Sequence, residues 1–226
     1  MVPTLIKGLN VDLQGKRILN DVSVTFVKGL NVILGPNGSG KTTLLRSVIG
    51  MIKSQGKIEV KGKMGYSPAE FFPSPMRVID VMMSGTNLKR DHYVEYLKLG
   101  GMERYELRQF STLSSGEKRM ILILKAFAEG DTVIMDEPLS NLDARNQVKV
   151  MKMMRDSDKV VISTSHDVEL ATLARQVILI KNGRIIDQGE PFAILTEEKV
   201  YSLYDVKVKR ISLGERVIFV KELIDL

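Results

Sequence analysis

The residues Gly35-Pro36-Asn37-Gly38-Ser39-Gly40-Lys41-Thr42, followed by Thr43, match the spacing G-x-x-x-x-G-K-[ST]. In this pattern successive backbone N–H groups turn inward around phosphate oxygens, and a Cβ at the glycine positions would block that path. A helix beginning at Lys41 adds the positive end of its dipole. Lys41 is then placed to reach β- and γ-phosphates, and the Thr42 hydroxyl is placed for Mg²⁺. The chemistry expected is phosphate binding and phosphoryl transfer.

Three further clusters carry groups suited to the same chemistry. Val133-Ile134-Met135 is an apolar run ending in Asp136-Glu137. A strand of this kind delivers both acids to the carboxyl edge of a sheet, where Asp136 would hold Mg²⁺ through water and Glu137 would orient or deprotonate an attacking water. A buried strand that happens to end in surface acids has the same sequence. Leu113-Ser114-Ser115-Gly116-Glu117 precedes a helical segment and reads either as a second anion site at a helix N-terminus or as an ordinary serine cap. A third apolar run, Lys159 to Ile162, ends in Ser163-Thr164-Ser165-His166-Asp167. His166 taken alone reads as a surface or core histidine.

The elements that must position these groups are short. Leu5 to Leu13 and Val22 to Phe26 read as strands about Gln14-Gly15-Lys16, and Asn31 to Leu34 as a buried strand feeding the glycine loop. Helical spacing runs from Lys41 to about Met51. Lys57 to Val60 and Lys63 to Tyr66 predict a hairpin about Gly62. A Pro-rich loop spans Ser67 to Pro75, with a helical region from about Met76 broken at Gly100-Gly101. Helices follow from Ser115 to Ala128 and from Ala144 to Arg155, the latter with Ala144, Val148, Met151 and Met154 on one face. Asn182-Gly183 marks a type I′ turn within Val177 to Asp187. Buried strands alternating with helices predict an α/β fold: a mainly parallel sheet with antiparallel additions, in one domain over 1–226.

Composition narrows the classes. Hydrophobic residues make up 44% and charged residues 27% of 226 residues, as in soluble globular proteins. No apolar run approaches the roughly 18 residues of a membrane span, and Met1 to Lys7 has no charged n-region or long h-region, so no secretory leader is expected. The chain has no cysteine, which excludes disulfides, thiolate metal sites and thiol nucleophiles. The net charge of +6 is dispersed, Trp is absent and aromatics are 6%, so nucleic acid is not expected as a partner.

Taken in order, these clusters resemble the ABC-type ATPase family over nearly the whole chain. Leu113 to Glu117 looks like the family's LSGGQ signature, Asp136-Glu137 like Walker B and the catalytic glutamate, Ser140-Asn141-Leu142-Asp143 like the D-loop, and His166 like the switch histidine. The resemblance implies a P-loop NTPase core with an N-terminal antiparallel β subdomain, an inserted helical subdomain (about 69–128) and a C-terminal helix and hairpin (about 191–226). It implies ATP and Mg²⁺ as ligands and a head-to-tail pair of ATP-binding subunits, homodimeric or heterodimeric. Each nucleotide would then touch Lys41 and Thr42 of one chain and Ser114 and Gly116 of the other. His166 would bond the γ-phosphate, and Asp143 would link the two sites.

The resemblance also implies a transmembrane permease as partner, with the chain peripheral on the cytoplasmic face of the membrane. The tail, from Gly189-Glu190-Pro191 through Ile194-Leu195-Thr196, is loosely similar to importers of iron chelates, haem or cobalamin. The Phe71-Phe72 pair and the Met-rich run from Met76 to Met83 suit a groove for a permease helix as well as core packing. The alternative is an ABC ATPase without a permease, such as the iron–sulfur cluster assembly ATPase.

Three positions depart from the family pattern. Ala69 stands where a loop glutamine is usual, leaving Glu70 either to reach Mg²⁺ or its water, or the contact simply missing. Leu13 replaces the aromatic that stacks on adenine, which predicts modest discrimination between ATP and GTP. Ser115 and Glu117 replace glycine and glutamine in the signature, and the Glu117 charge would disfavour a phosphate unless Lys118 or Arg119 offsets it.

Overall fold

The computed structural model describes residues 4–60, 62–70, 74–213 and 216–222. The chain opens with two long antiparallel strands, β1 (Thr4–Leu13) and β2 (Lys16–Phe26), followed by β3 (Gly29–Leu34) and helix α1 (Lys41–Val48). Strand β4 (Gln55–Glu59) then pairs antiparallel with β1, giving a three-stranded sheet β2-β1-β4.

Next come β5 (Met64–Ser67), the helices α2 (Val78–Met83), α3 (Arg90–Gly100) and α4 (Ser115–Glu129), and strand β6 (Thr132–Met135). Helix α5 (Ala144–Arg155), strand β7 (Val160–Ser165), helix α6 (Val168–Thr172) and the hairpin β8 (Gln176–Lys181) and β9 (Arg184–Gly189) complete the centre. Two helices, α7 (Pro191–Ile194) and α8 (Glu197–Tyr204), lead to a hairpin of β10 (Val208–Leu213) and β11 (Arg216–Lys221).

The main sheet has the order β5-β6-β7-β3-β8-β9, parallel except for β9. It is covered on both faces, which is why its strands are apolar throughout rather than alternating. Val32, Val133, Val161 and Leu179 face one core with α3 and α4, whereas Ile33, Ile134, Ile162 and Ile178 face the other with α1 and the β1–β2 sheet. Parallel order brings the carboxyl ends of β3, β6 and β7 to one edge, where the glycine loop, Asp136-Glu137 and His166 all begin.

Two expectations are corrected. The segments about Gly62 form no hairpin: β4 joins β1, while β5 pairs parallel with β6 in the other sheet. Gly62, at φ 70°, serves instead as a crossing point closed against Asp131, whose carboxylate accepts from the Lys63 N–H at 3.0 Å. On α5, Val148 is 64% exposed and Ala144 faces solvent, while the buried residues are Val150 and Met154. The apolar set on this helix is wider than its core contact, and the sheet beneath selects the stripe one step along.

Of the run assigned to partner or core, Val78, Ile79 and Met82 are buried, Val81 and Met83 half-buried and Met76 exposed. Phe71 and Phe72 lie outside the described residues. Among the described residues no helix is long and apolar enough to cross a membrane.

Candidate nucleotide site

The glycine loop leaves β3 and enters α1 through Gly40, whose φ of 103° is open to glycine and strained for other residues. A Cβ there would also lie 2.7 Å from the Leu19 side chain. At Gly35 a Cβ would collide with the Ile180 carbonyl. The β8–β9 turn secures the loop from below: the Gly183 N–H donates to Ser39 O at 2.9 Å, and Asn20 N–H donates to Gly183 O at 2.9 Å. Asn182-Gly183 was legible as a turn, but its role as a support for the phosphate loop was not.

Lys41 is buried and turned back on its own loop, donating to Gly35 O at 2.7 Å and Pro36 O at 3.1 Å. Burial lowers its pKa, and the nearby Glu137 and Asp136 carboxylates oppose that fall. Its Nζ is 3.9 Å from Glu137 Oε1. The other carboxylate oxygen of Glu137 is 2.8 Å from His166 Nδ1. The structure therefore brings Lys41, Asp136, Glu137 and His166 to one place.

Thr164 joins this group. Its hydroxyl donates to Asp136 Oδ1 at 2.6 Å and accepts from the Glu137 N–H at 2.9 Å. Sequence reasoning missed it as a site residue; the signal was the hydroxyl-rich end of an apolar strand, Ser163-Thr164-Ser165. Glu137 itself has φ 48°, in the left-handed region, and its carbonyl accepts from the Ser140 amide and hydroxyl at 3.1 and 2.8 Å. An unusual backbone conformation held by several bonds is typical of functional positions.

The residues fit Mg²⁺. Asp136 is 1% exposed, and its Oδ2 is buried with no hydrogen-bond partner. An orphaned carboxylate oxygen is costly unless a ligand completes it. Thr42, half-buried in the first turn of α1, is the second oxygen donor proposed for the ion. Glu70 is exposed on the loop after β5, and none of the described hydrogen bonds ties it to Asp136 or Thr42.

Ser114 caps α4 in a reciprocal box: its Oγ accepts from Glu117 N–H at 3.2 Å, and the Glu117 carboxylate accepts from Ser114 N–H at 2.7 Å. Burial works against the Glu117 carboxylate. The Ser114 amide, the Tyr105 and Ser114 hydroxyls and Arg108 outweigh it and hold the pKa below the usual range. Arg119 is not the offsetting cation, because its guanidinium points inward and donates to Pro68 O and Ala69 O.

Within this chain the signature touches the D-loop rather than the phosphate loop: a Cβ on Gly116 would lie 2.9 Å from Asn141 O. Ser115 begins α4 beside it. Asp143 caps α5, accepting from the Asn146 N–H at 2.8 Å. Leu13 ends β1 and is 37% exposed.

The family model "ABC transporter" matches residues 19–140. A cobalamin import ATP-binding protein of Halobacterium salinarum is 28% identical over 90% of this chain, which spans 59% of that relative's length. A hemin import ATP-binding protein of Rhizobium leguminosarum is 30% identical, covering 90% of this chain and 91% of the relative. A solved structure assigned to a metal-chelate type ABC transporter, in an inward-facing conformation, superposes with a TM-score of 0.83 at 26% identity, covering 97% of both chains. The chain belongs to the ABC transporter family, in the class of its ATP-binding subunits.

Proposed function

We propose that this chain binds and hydrolyses ATP with Mg²⁺ as the ATP-binding subunit of an importer. It would work as a head-to-tail pair with a second ATP-binding subunit on a transmembrane permease, at the cytoplasmic face of a membrane. The observation that carries the reading is the placement of the Glu137 carboxylate between Lys41 and His166, 3.9 and 2.8 Å away. The import direction rests on the cobalamin and hemin import relatives.

The backbone N–H groups of 37–42 and the N-terminus of α1 bind the phosphates. Lys41 leaves its loop carbonyls for the β- and γ-phosphates. Mg²⁺ held by Thr42 and Asp136 supplies charge neutralisation at the phosphate oxygens. Glu137 takes a proton from the water that attacks the γ-phosphorus, as the bond to the β-phosphate oxygen breaks. His166 donates to the γ-phosphate, and the partner copy's signature completes the site through a serine hydroxyl and helix N-terminus.

Asp143, the cap of α5, is the D-loop residue proposed to link the two ATP sites across the pair. Glu70 is proposed as an auxiliary contact to the Mg²⁺ water.

The test compares wild type with Glu137→Gln by size-exclusion chromatography in Mg-ATP. The reading expects a dimer of the variant that needs ATP, with hydrolysis lost. A monomer in both forms, with and without detergent-solubilised membranes of the source cell, would overturn the paired mechanism. Cofractionation with membranes distinguishes the permease-bound subunit from a permease-free ATPase.

A further inference from the structure

Arg119 is 0% exposed, among the largest fully buried side chains of the molecule. Taking a guanidinium out of water costs several kcal/mol unless its donors and charge are matched. Here the two terminal nitrogens donate to successive carbonyls, NH1 to Pro68 O and NH2 to Ala69 O. A flat fork suits such a pair, and an ammonium would satisfy only one of them well.

The position of each end matters. Arg119 lies two residues beyond Glu117, in the second turn of α4, whose first turn is the signature. The carbonyls belong to the loop that leaves β5. The last residue of β5, Ser67, accepts from the Asp136 N–H at 3.0 Å. Helix α4 also crosses β5 with no room for a side chain at Gly65, where a Cβ would collide with Ala126 backbone. Beyond Ser67, Ala69 offers a methyl group and Glu70 faces solvent. Burial lowers the Arg119 pKa, and the charges of Asp136 and Glu137 are close enough to oppose the fall.

We propose that Arg119 is a positioning residue of the ATPase site, fastening the loop 67–70 to the signature helix so that the loop and the helix start move together. The proposal rests on the ATPase reading above. It explains why a cation is kept in the interior at this point: its two described hydrogen bonds go to the loop that connects the outer helices to the Asp136 edge. A movement imposed on the loop is passed to the start of α4 through this guanidinium fork.

The experiment uses the full chain with Arg119→Met and Arg119→Lys. It measures binding of a fluorescent ADP analogue, steady-state kcat and KM for ATP, and hydrogen exchange of the peptide covering 66–70. Arg119→Met is expected to lower kcat by about tenfold or more with KM changed less than about threefold. Exchange at 67–70 should rise by about tenfold while α1 and β3 stay protected. Arg119→Lys should recover part of both. Wild-type kcat and unchanged loop exchange in Arg119→Met would overturn the proposal. So would a kcat loss accompanied by an equal rise in exchange through α1 and β3, with no recovery in Arg119→Lys, since that is what a purely structural arginine predicts.

A second measurement needs no Arg119 variant. On adding ATP to Glu137→Gln, exchange at 67–70 and at the start of α4 should slow together, and slowing in α4 alone would overturn the coupling. Absence of ATP binding by the wild type would instead count against the ATPase reading, leaving the loop-exchange comparison to judge Arg119.

Discussion

Glu137 Oε2 lies 2.8 Å from His166 Nδ1, while the same carboxylate's Oε1 is 3.9 Å from Lys41 Nζ. One carboxylate thus occupies both groups proposed to receive a γ-phosphate. In the proposed mechanism, arrival of ATP would require Lys41 to exchange this carboxylate and its loop carbonyls for phosphate oxygens, and His166 to turn from Glu137 to the γ-phosphate. His166→Ala is expected to lower kcat by roughly 10²- to 10⁴-fold, with nucleotide affinity within about threefold because the phosphate loop is untouched. Steady-state hydrolysis and equilibrium titration with a fluorescent nucleotide check both halves. A loss confined to affinity would remove His166 from the reaction.

Thr164 bridges Asp136 and Glu137 with a single hydroxyl. Thr164→Val keeps the shape and removes the bond to Asp136 Oδ1 and the acceptor for Glu137 N–H. Leaving those buried groups unpaired is expected to cost about 1–3 kcal/mol of stability. Hydrolysis should fall together with it, because Glu137 loses support for its left-handed backbone. Thermal unfolding and kcat, measured in the same buffer, test this; Thr164→Ser, which restores the hydroxyl, should recover most of both.

Glu117 closes the capping box at Ser114, and its carboxylate is held below the ordinary value of 4.5. A depressed carboxylate stabilises the fold above the unfolded pKa, and that contribution is lost as pH falls through the folded pKa. The wild type should therefore lose stability relative to Glu117→Gln below about pH 4.5. Near neutrality the amide can still accept from Ser114 N–H, so Glu117→Gln should fold normally and dimerise at lower ATP concentration, having lost a negative charge at the proposed γ-phosphate contact. Unfolding curves across pH 3–7 and ATP titrations of dimer formation would expose an error in either half.

Leu13 is exposed at the end of β1, beside a turn with positive φ at Gln14 and Gly15. A leucine packs on a base without π-stacking or polar readout of its edge. The ratio of kcat/KM for ATP over GTP is expected below about tenfold, or 1.4 kcal/mol. Leu13→Tyr should raise affinity for both nucleotides by a similar factor. A strong ATP preference in the wild type would place the base elsewhere.

Much of the site was legible because it is local. Gly40 needs φ 103° and Lys41 follows at once, so loop, cap and cation form one stretch of chain. Ser114 and Glu117 likewise write their own box in four residues. Thr164 was invisible as a site residue, and Arg119 was legible only as a cation that could offset Glu117, because their partners are 27 to 51 residues away. A buried arginine after a helix cap looks like any solvated helix residue until the loop beneath it is placed.

Taken by itself, the sequence determined the glycine loop, the apolar strands that end in acids or hydroxyls, the capped helices and the Asn182-Gly183 turn. Each of these follows from backbone torsions, side-chain periodicity or short-range hydrogen bonds within a few residues. Tertiary structure decided that β4 and β5 separate into different sheets, that Val150 rather than Val148 faces the core, and that Glu137 lies between Lys41 and His166. Those outcomes depend on which strands pair and which faces the two cores can fill. Strand pairing and core packing are set by contacts between distant segments, on which local periodicity carries no information.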